Sequence, residues 1–226
     1  MKIHKYPLVA ILVSIILFII PFFWLEPGQM DIGGDSGRLF FYNPLLYLKT
    51  QILYGVTTSG TGGEAISYFI IPFMTLLVLL KSVFTSPTVL ISIVNGLKLS
   101  IAFISCYFIV KELVDDKKIK SIFSLEVSSI ISSLFYVLAP PMIFSGWERS
   151  ILSHTQIFLN PLMFLFLLKY INTHKVIYLL SALIVSYIFS GNFSYFAAPP
   201  FFAFYPLALS FLFIYAIVII SFIVYV

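Results

Sequence analysis

Six stretches of this chain run apolar for the depth of a bilayer core or close to it: residues 7–24, 88–110, 122–140, 155–171, 176–190 and 201–226. An α-helix needs roughly 20 apolar residues to cross about 30 Å of hydrocarbon. Helices and closed barrels are the two backbones that satisfy every amide in lipid, and barrel strands would alternate in polarity over short segments. An unbroken run such as Ile11 to Ile20 therefore predicts helices. Composition agrees, with 61% hydrophobic residues, 10% charged residues and a mean hydropathy of +1.07. Globular chains hold about half apolar and a quarter charged residues, and a water-soluble fold cannot cover so much apolar surface. The expected class is all-α: a polytopic transmembrane helix bundle of about six spans, forming one membrane domain over 1–226.

The net charge of +4 does not point to nucleic acid. The basic residues sit in short clusters beside apolar runs, where orientation in the membrane accounts for them. Cys106 is the only cysteine, which excludes an internal disulfide framework and a cysteine-rich metal site. The chain starts with Lys2, His4 and Lys5 ahead of an apolar stretch, as a secretory signal does, but the run continues through Pro21, Phe22, Phe23 and Trp24 without a small-residue cleavage site. A retained anchor ending in interfacial aromatics is the expectation. Residues 201–226 are apolar to the last position, and the chain is read as the N-terminal portion of something longer.

A seventh apolar run, 66–84, contains Pro72 and Lys81 and either crosses the bilayer or lies against its outer face. Charge bias decides, because excess lysine and arginine in short loops marks the cytoplasmic side. With the N-terminus inside and this run not crossing, Lys2, Lys5, Lys111, Lys117, Lys118, Lys120, Lys169 and Lys175 lie inside, and Arg38, Lys49, Lys81 and Arg149 lie outside. A crossing run inverts that tally. An external N-terminus with seven crossings ties on count, and the basic flank of the first helix breaks the tie. The expected location is the plasma membrane, with 25–87 as a long external loop carrying juxtamembrane helices. Within it, 39–54 is rich in Leu, Phe and Tyr and suits an amphipathic interfacial helix.

Two external segments hold the candidate chemistry. Asp31-Ile32-Gly33-Gly34-Asp35-Ser36-Gly37-Arg38 places two carboxylates just after the first span. Such acids bind a divalent cation, or remove a proton from an acceptor hydroxyl while a cation neutralises a phosphate leaving group. A solvated polar turn is the bland alternative. Ser145-Gly146-Trp147-Glu148-Arg149-Ser150-Ile151-Leu152-Ser153-His154 lies between the third and fourth spans. There Glu148 is a candidate metal ligand, Arg149 a bidentate phosphate clamp and His154 a proton carrier. An interfacial loop anchored by Trp147 is the competing reading. Asn95 and Lys98 fall within a span, where a polar group lines a path, packs against a helix or snorkels. Glu126 reads as interfacial, 111–120 as a cytoplasmic loop, and Asn192-Phe193-Ser194 matches a short glycosylation pattern. There is no Gly-Lys-Ser/Thr phosphate loop, His-Glu-x-x-His zinc motif or Gly-x-Ser-x-Gly elbow, so ATP-driven transport and the common hydrolase chemistries lack support.

One N-terminal span, a long external loop opening with an acid, juxtamembrane helices and a succession of short-looped spans together resemble the GT-C superfamily of membrane glycosyltransferases. Gly34-Asp35 followed by Phe40-Phe41-Tyr42-Asn43-Pro44 is similar to the Gly-Asp and aromatic-x-Pro pattern of its bacterial YfhO-like branch. So are Asn95-Gly96-Leu97-Lys98-Leu99-Ser100, Tyr107, Lys111-Glu112-Leu113 and Leu134-Phe135-Tyr136-Val137-Leu138-Ala139-Pro140. The resemblance implies sugar transfer from a polyprenyl-phosphate-linked donor to an external glycan, lipid or protein acceptor. It puts the base or metal ligand on Asp35, with Asp31 as substitute, and Mg²⁺ or Mn²⁺ between Asp35 and Glu148. Arg38, Arg149 and His154 would then meet the substrate. The family's second acidic site is an Asp-x-Asp or Asp-Glu pair, and this chain has Gly146-Trp147-Glu148 instead. Family members are also longer, with more spans and often an external C-terminal domain. A transporter or flippase lined by Asn95 and Lys98, and a membrane scaffold without chemistry, are the alternatives.

Overall fold

The computed structural model describes residues 8–24, 41–49, 71–114, 122–140 and 156–189, together with 216 and 220. The described residues are helical and contain no strand, as the apolar runs require. Helix α1 spans Leu8–Ile19 and tightens into a 3-10 turn over Ile20–Phe23, where Pro21 sits near the start of the turn. Helix α2 is the short Pro44–Tyr47, α3 is Ile71–Val83, α4 is Pro87–Leu113, α5 is Ile122–Val137, α6 is Gln156–Thr173 and α7 is Val176–Ile188.

Local chemistry sets these boundaries. Asn43 caps α2, its Oδ1 accepting the Leu46 N–H at 3.0 Å, and Pro44 takes the first helical position, where a missing N–H costs nothing. Ser86 caps α4 in the same way, with Pro87 next. Pro72 sits near the start of the described helix α3. The described part of that helix has 13 residues, about 20 Å of rise. Lys81 turns its ammonium onto the Thr85 carbonyl, closing the turn into α4. His174 links α6 to α7 with φ 54°, a left-handed residue at the helix end that makes a tight hairpin.

Helix α4 is the hub, packing along α1, α5 and α6, while α7 packs on α6, and α2 on α3. The α1–α4 seam is antiparallel. Ser92 Oγ donates to the Pro21 carbonyl at 3.1 Å and Ser100 Oγ to the Ser14 carbonyl at 2.8 Å. Midway between them, a Cβ on Gly96 would stand 2.3 Å from the Phe18 carbonyl oxygen. Ser92, Gly96 and Ser100 thus form a row of small residues at four-residue spacing that lets two backbones touch, the device helices use in lipid, where apolar area alone gives no preference for protein over solvent.

Polar side chains are enclosed within a mainly apolar core, and large apolar side chains line the exterior. Lys98, Asn95, Asn160 and Ser14, Ser92, Ser100, Ser105, Ser129, Ser133 and Ser186 are buried, while Phe23, Val83, Phe135, Ile131, Ile184 and Tyr187 face outward, Phe23 82% exposed. Ser129 and Ser133 satisfy themselves by donating to the carbonyls four residues back, as hydroxyls in a non-aqueous interior do. One described helix, Pro87–Leu113, is long and apolar enough to cross a membrane; the other apolar helices are shorter.

Gly96→Ala is expected to lower the stability of the purified protein by about 1–3 kcal/mol, the usual range for overpacking a tight contact. Ser92→Ala removes a single hydrogen bond and should cost only about 0.5–1.5 kcal/mol. Thermal unfolding in detergent ranks the two, and equal losses would contradict a seam limited by backbone approach at Gly96.

Candidate functional site

The two ends of the bundle differ in chemistry. At the end where α4 finishes, Glu126 near the start of α5 accepts from the Tyr107 hydroxyl at 2.8 Å and pairs with Lys111 at 2.9 Å. The Lys111 ammonium also lies 4.6 Å from the centre of the Tyr107 ring. On the other side of α4, Glu112 pairs with Lys169 of α6 and accepts from Asn172 Nδ2 at 2.8 Å. Adjacent acid and base on α4 thus reach in different directions, one to each flanking helix. Glu126, read from sequence as interfacial, is a junction between α4 and α5.

These contacts also set direction. With its start beside Lys111, α5 runs back along α4, and with its last turn beside Glu112, α6 runs with α4. The opposite end therefore gathers the close of α1 at Trp24, the cap of α4 at Ser86, the close of α5 and the start of α6 at Gln156. Aromatic packing marks it. Phe158 of α6 meets Phe189, just after α7, edge to face at 5.1 Å, and Phe73 of α3 lies 5.9 Å from the same ring.

Asp31, Asp35, Arg38, Glu148, Arg149 and His154 lie outside the described residues. Their attachment points do not: the segments 25–40 and 141–155 both join the bundle at the aromatic end, opposite the ion pairs. Of the expected motif in 40–44, Phe41 is described and buried in the common core, and Asn43-Pro44 is a helix cap. Asn95 and Lys98 are described too. Both are enclosed in the bundle, Lys98 at 0% exposure and Asn95 at 6%, and Asn95 Oδ1 accepts no hydrogen bond from any described residue. Snorkelling, one sequence reading of Lys98, does not occur.

Among the described residues no group of three or more His, Cys, Asp or Glu side chains could hold a metal ion. The two described carboxylates are committed to protein donors at the ion-pair end, and the metal expectation on Asp35 and Glu148 falls outside these residues. Apolar surroundings raise the Tyr47 phenol in α2 and lower the Lys81 ammonium in α3 from their ordinary values. Desolvation causes both shifts, so they record packing and not catalytic poise.

No protein-family model, curated protein or solved structure matches the chain.

Sequence reasoning missed the Ser92-Gly96-Ser100 row, although its four-residue spacing is a readable signal. It also missed the two polar junctions of α4, for which no local pattern exists because their partners are 15 and 57 residues away.

A double-mutant cycle on Lys111 and Glu126, each changed to alanine, is expected to give a coupling near 1 kcal/mol, as for a partly exposed pair. Tyr107→Phe should lower it by removing a second donor from the same carboxylate. Additive single losses in chemical unfolding would show that this junction does not hold α4 to α5.

Proposed function

We propose that this chain is a multi-pass membrane protein of the GT-C glycosyltransferase kind, which transfers a sugar from a polyprenyl-phosphate carrier to an external acceptor. The observation that carries the reading is the shared exit: the Asp31–Asp35 segment and the Glu148–Arg149 segment leave the bundle at the same end. Two acid-bearing segments leaving one end are what a single catalytic centre requires; segments at opposite ends would exclude it. Membrane residence is supported by the apolar exterior around a core that also encloses serines, asparagines and a lysine, which suits hydrocarbon and not water.

The antiparallel α1–α4 seam supports the topology in which 66–84 does not cross. Were that segment a full span, α1 and α4 would run the same way. With the lysine-rich end in the cytoplasm, the aromatic end faces outward and both acid-bearing segments lie in the external compartment of the plasma membrane.

In the proposed reaction Asp35 accepts the proton of the acceptor hydroxyl while its oxygen bonds to the anomeric carbon of the donor. The bond from that carbon to the phosphate oxygen breaks, and its electron pair leaves on the polyprenyl phosphate. Arg38 or Arg149 offsets the charge that develops there, Asp31 and His154 flank the acceptor, and no step is routed through a metal ion. A carrier function is the second reading, favoured by the enclosure of Asn95 and Lys98, because ionisable groups inside membrane helices commonly mark transport paths.

Asp35→Asn in membranes is expected to reduce transfer of labelled sugar by at least about a hundredfold, the scale of general-base catalysis, with insertion unchanged. Retained transfer would end the transferase reading. Retained translocation of the carrier lipid in proteoliposomes, without transfer by either protein, would favour the carrier. For topology, Asp35→Cys and Glu148→Cys in a Cys106→Ser background should both react with an impermeant maleimide added outside intact cells. Labelling from opposite faces would remove the shared centre.

A further inference from the structure

We infer that the turn between α3 and α4, built on Lys81, binds the phosphodiester headgroup of a membrane phospholipid at the aromatic end of the bundle. The inference rests on membrane residence and not on sugar transfer. Lys81 folds back over its own turn, where its ammonium donates to the Thr85 carbonyl. An ammonium carries three hydrogens, so that bond orients the group and leaves two to give. Among the described residues no carboxylate competes for them, since Glu112 and Glu126 are engaged by lysines at the opposite end.

The rest of the turn is exposed from Ser82 to Ser86. The Ser82 hydroxyl is spent on the Leu79 carbonyl, whereas the Thr85 hydroxyl donates to no described residue. An ammonium and a hydroxyl on one turn thus offer donors with no described acid beside them, which fits an anion with several acceptor oxygens. The outside of the same turn is apolar: Leu79, Val83 and Phe84 are exposed, Val83 by 71%. Free phosphate would leave those side chains in water. A phospholipid covers both kinds of surface, its phosphate oxygens accepting from Lys81 Nζ and Thr85 Oγ1 and its acyl carbons lying on Leu79, Val83 and Phe84.

Depth points to the same partner. The Ser92 hydroxyl on the Pro21 carbonyl sets the close of α1 beside the second turn of α4. Ser86 stands about 9 Å before Ser92 along the helix, and three residues of 3-10 turn carry Trp24 about 6 Å the same way. The aromatic close of α1 and the Lys81 turn therefore reach nearly one level. Phe22, Phe23 and Trp24 are exposed there, and exposed aromatics of this kind collect among lipid headgroups.

The test uses the whole chain in dodecyl maltoside, a detergent without phosphate, with bound lipid counted by native mass spectrometry. The chain is titrated with phosphatidylglycerol, with diacylglycerol of the same acyl chains, with glycerophosphoglycerol in solution and with polyprenyl phosphate. Lys81→Gln is expected to weaken phosphatidylglycerol about tenfold or more, as loss of a charge-assisted hydrogen bond does, while Lys81→Arg keeps it and Thr85→Val weakens it by a smaller factor. Diacylglycerol should bind weakly to every variant. Unchanged phosphatidylglycerol affinity in Lys81→Gln overturns the inference, and should that variant not fold, a parent that binds diacylglycerol as tightly as phosphatidylglycerol overturns it instead. Glycerophosphoglycerol binding as tightly as the lipid would place the source in solution and overturn the lipid assignment. Displacement of phosphatidylglycerol by equimolar polyprenyl phosphate would give the turn to the carrier lipid and overturn the phospholipid. A parent chain that stays soluble without detergent or lipid sinks the membrane reading itself, whereas a chain that needs detergent and ignores the phosphate sinks this site alone.

Discussion

The bundle depends on how closely α1 and α4 approach. At Gly96 the two backbones come so near that even a methyl group would overlap the Phe18 carbonyl. The serines one turn to either side convert that proximity into hydrogen bonds onto α1 carbonyls. Everything else is arranged around α4, which carries α5 and α6 on its other faces, with α7 added to α6. A helix so surrounded has few positions left on the exterior, and this is why its polar residues Ser92, Asn95, Lys98 and Ser100 are all buried although its mean composition is apolar.

The opposition of the two ends follows from the same helix. Successive residues Lys111 and Glu112 point to different neighbours and find opposite charges there, so one turn of α4 clamps α5 and α6 together. Neither pair is deep: side chains of 21–31% relative exposure keep water within reach, which moderates both the desolvation cost and the attraction. The far end has no such clamps among the described residues and is closed by phenylalanines from α3, α6 and the residue after α7. An end held by aromatic packing tolerates small rearrangements that an ion-paired end resists.

Much of the architecture was legible because length and polarity act locally. The expected spans 7–24, 88–110, 122–140, 155–171 and 176–190 correspond to helices Leu8–Phe23 in two parts, Pro87–Leu113, Ile122–Val137, Gln156–Thr173 and Val176–Ile188, and the errors at their ends come from proline and serine caps. The run 201–226 falls almost entirely outside the described residues. What could not be read is partnership. Nothing near Glu126 in sequence names Lys111 and Tyr107, and burial of Lys98 depends on which helices surround it. The candidate residues of the external segments, Asp31, Asp35, Arg38, Glu148, Arg149 and His154, are constrained only through the helix ends that carry them.

The order of the seam partners along the chain bears on biogenesis. Helix α1 emerges from the ribosome first, and the small-residue row it pairs with follows 71 to 86 residues later. During that interval the carbonyls at Ser14 and Pro21 lack the serine donors of the seam. Helix α4 carries a lysine and an asparagine whose enclosure depends on the helices packed around it. The seam therefore closes only once α4 has been synthesised, which ties the packing of the first helix to completion of the hub.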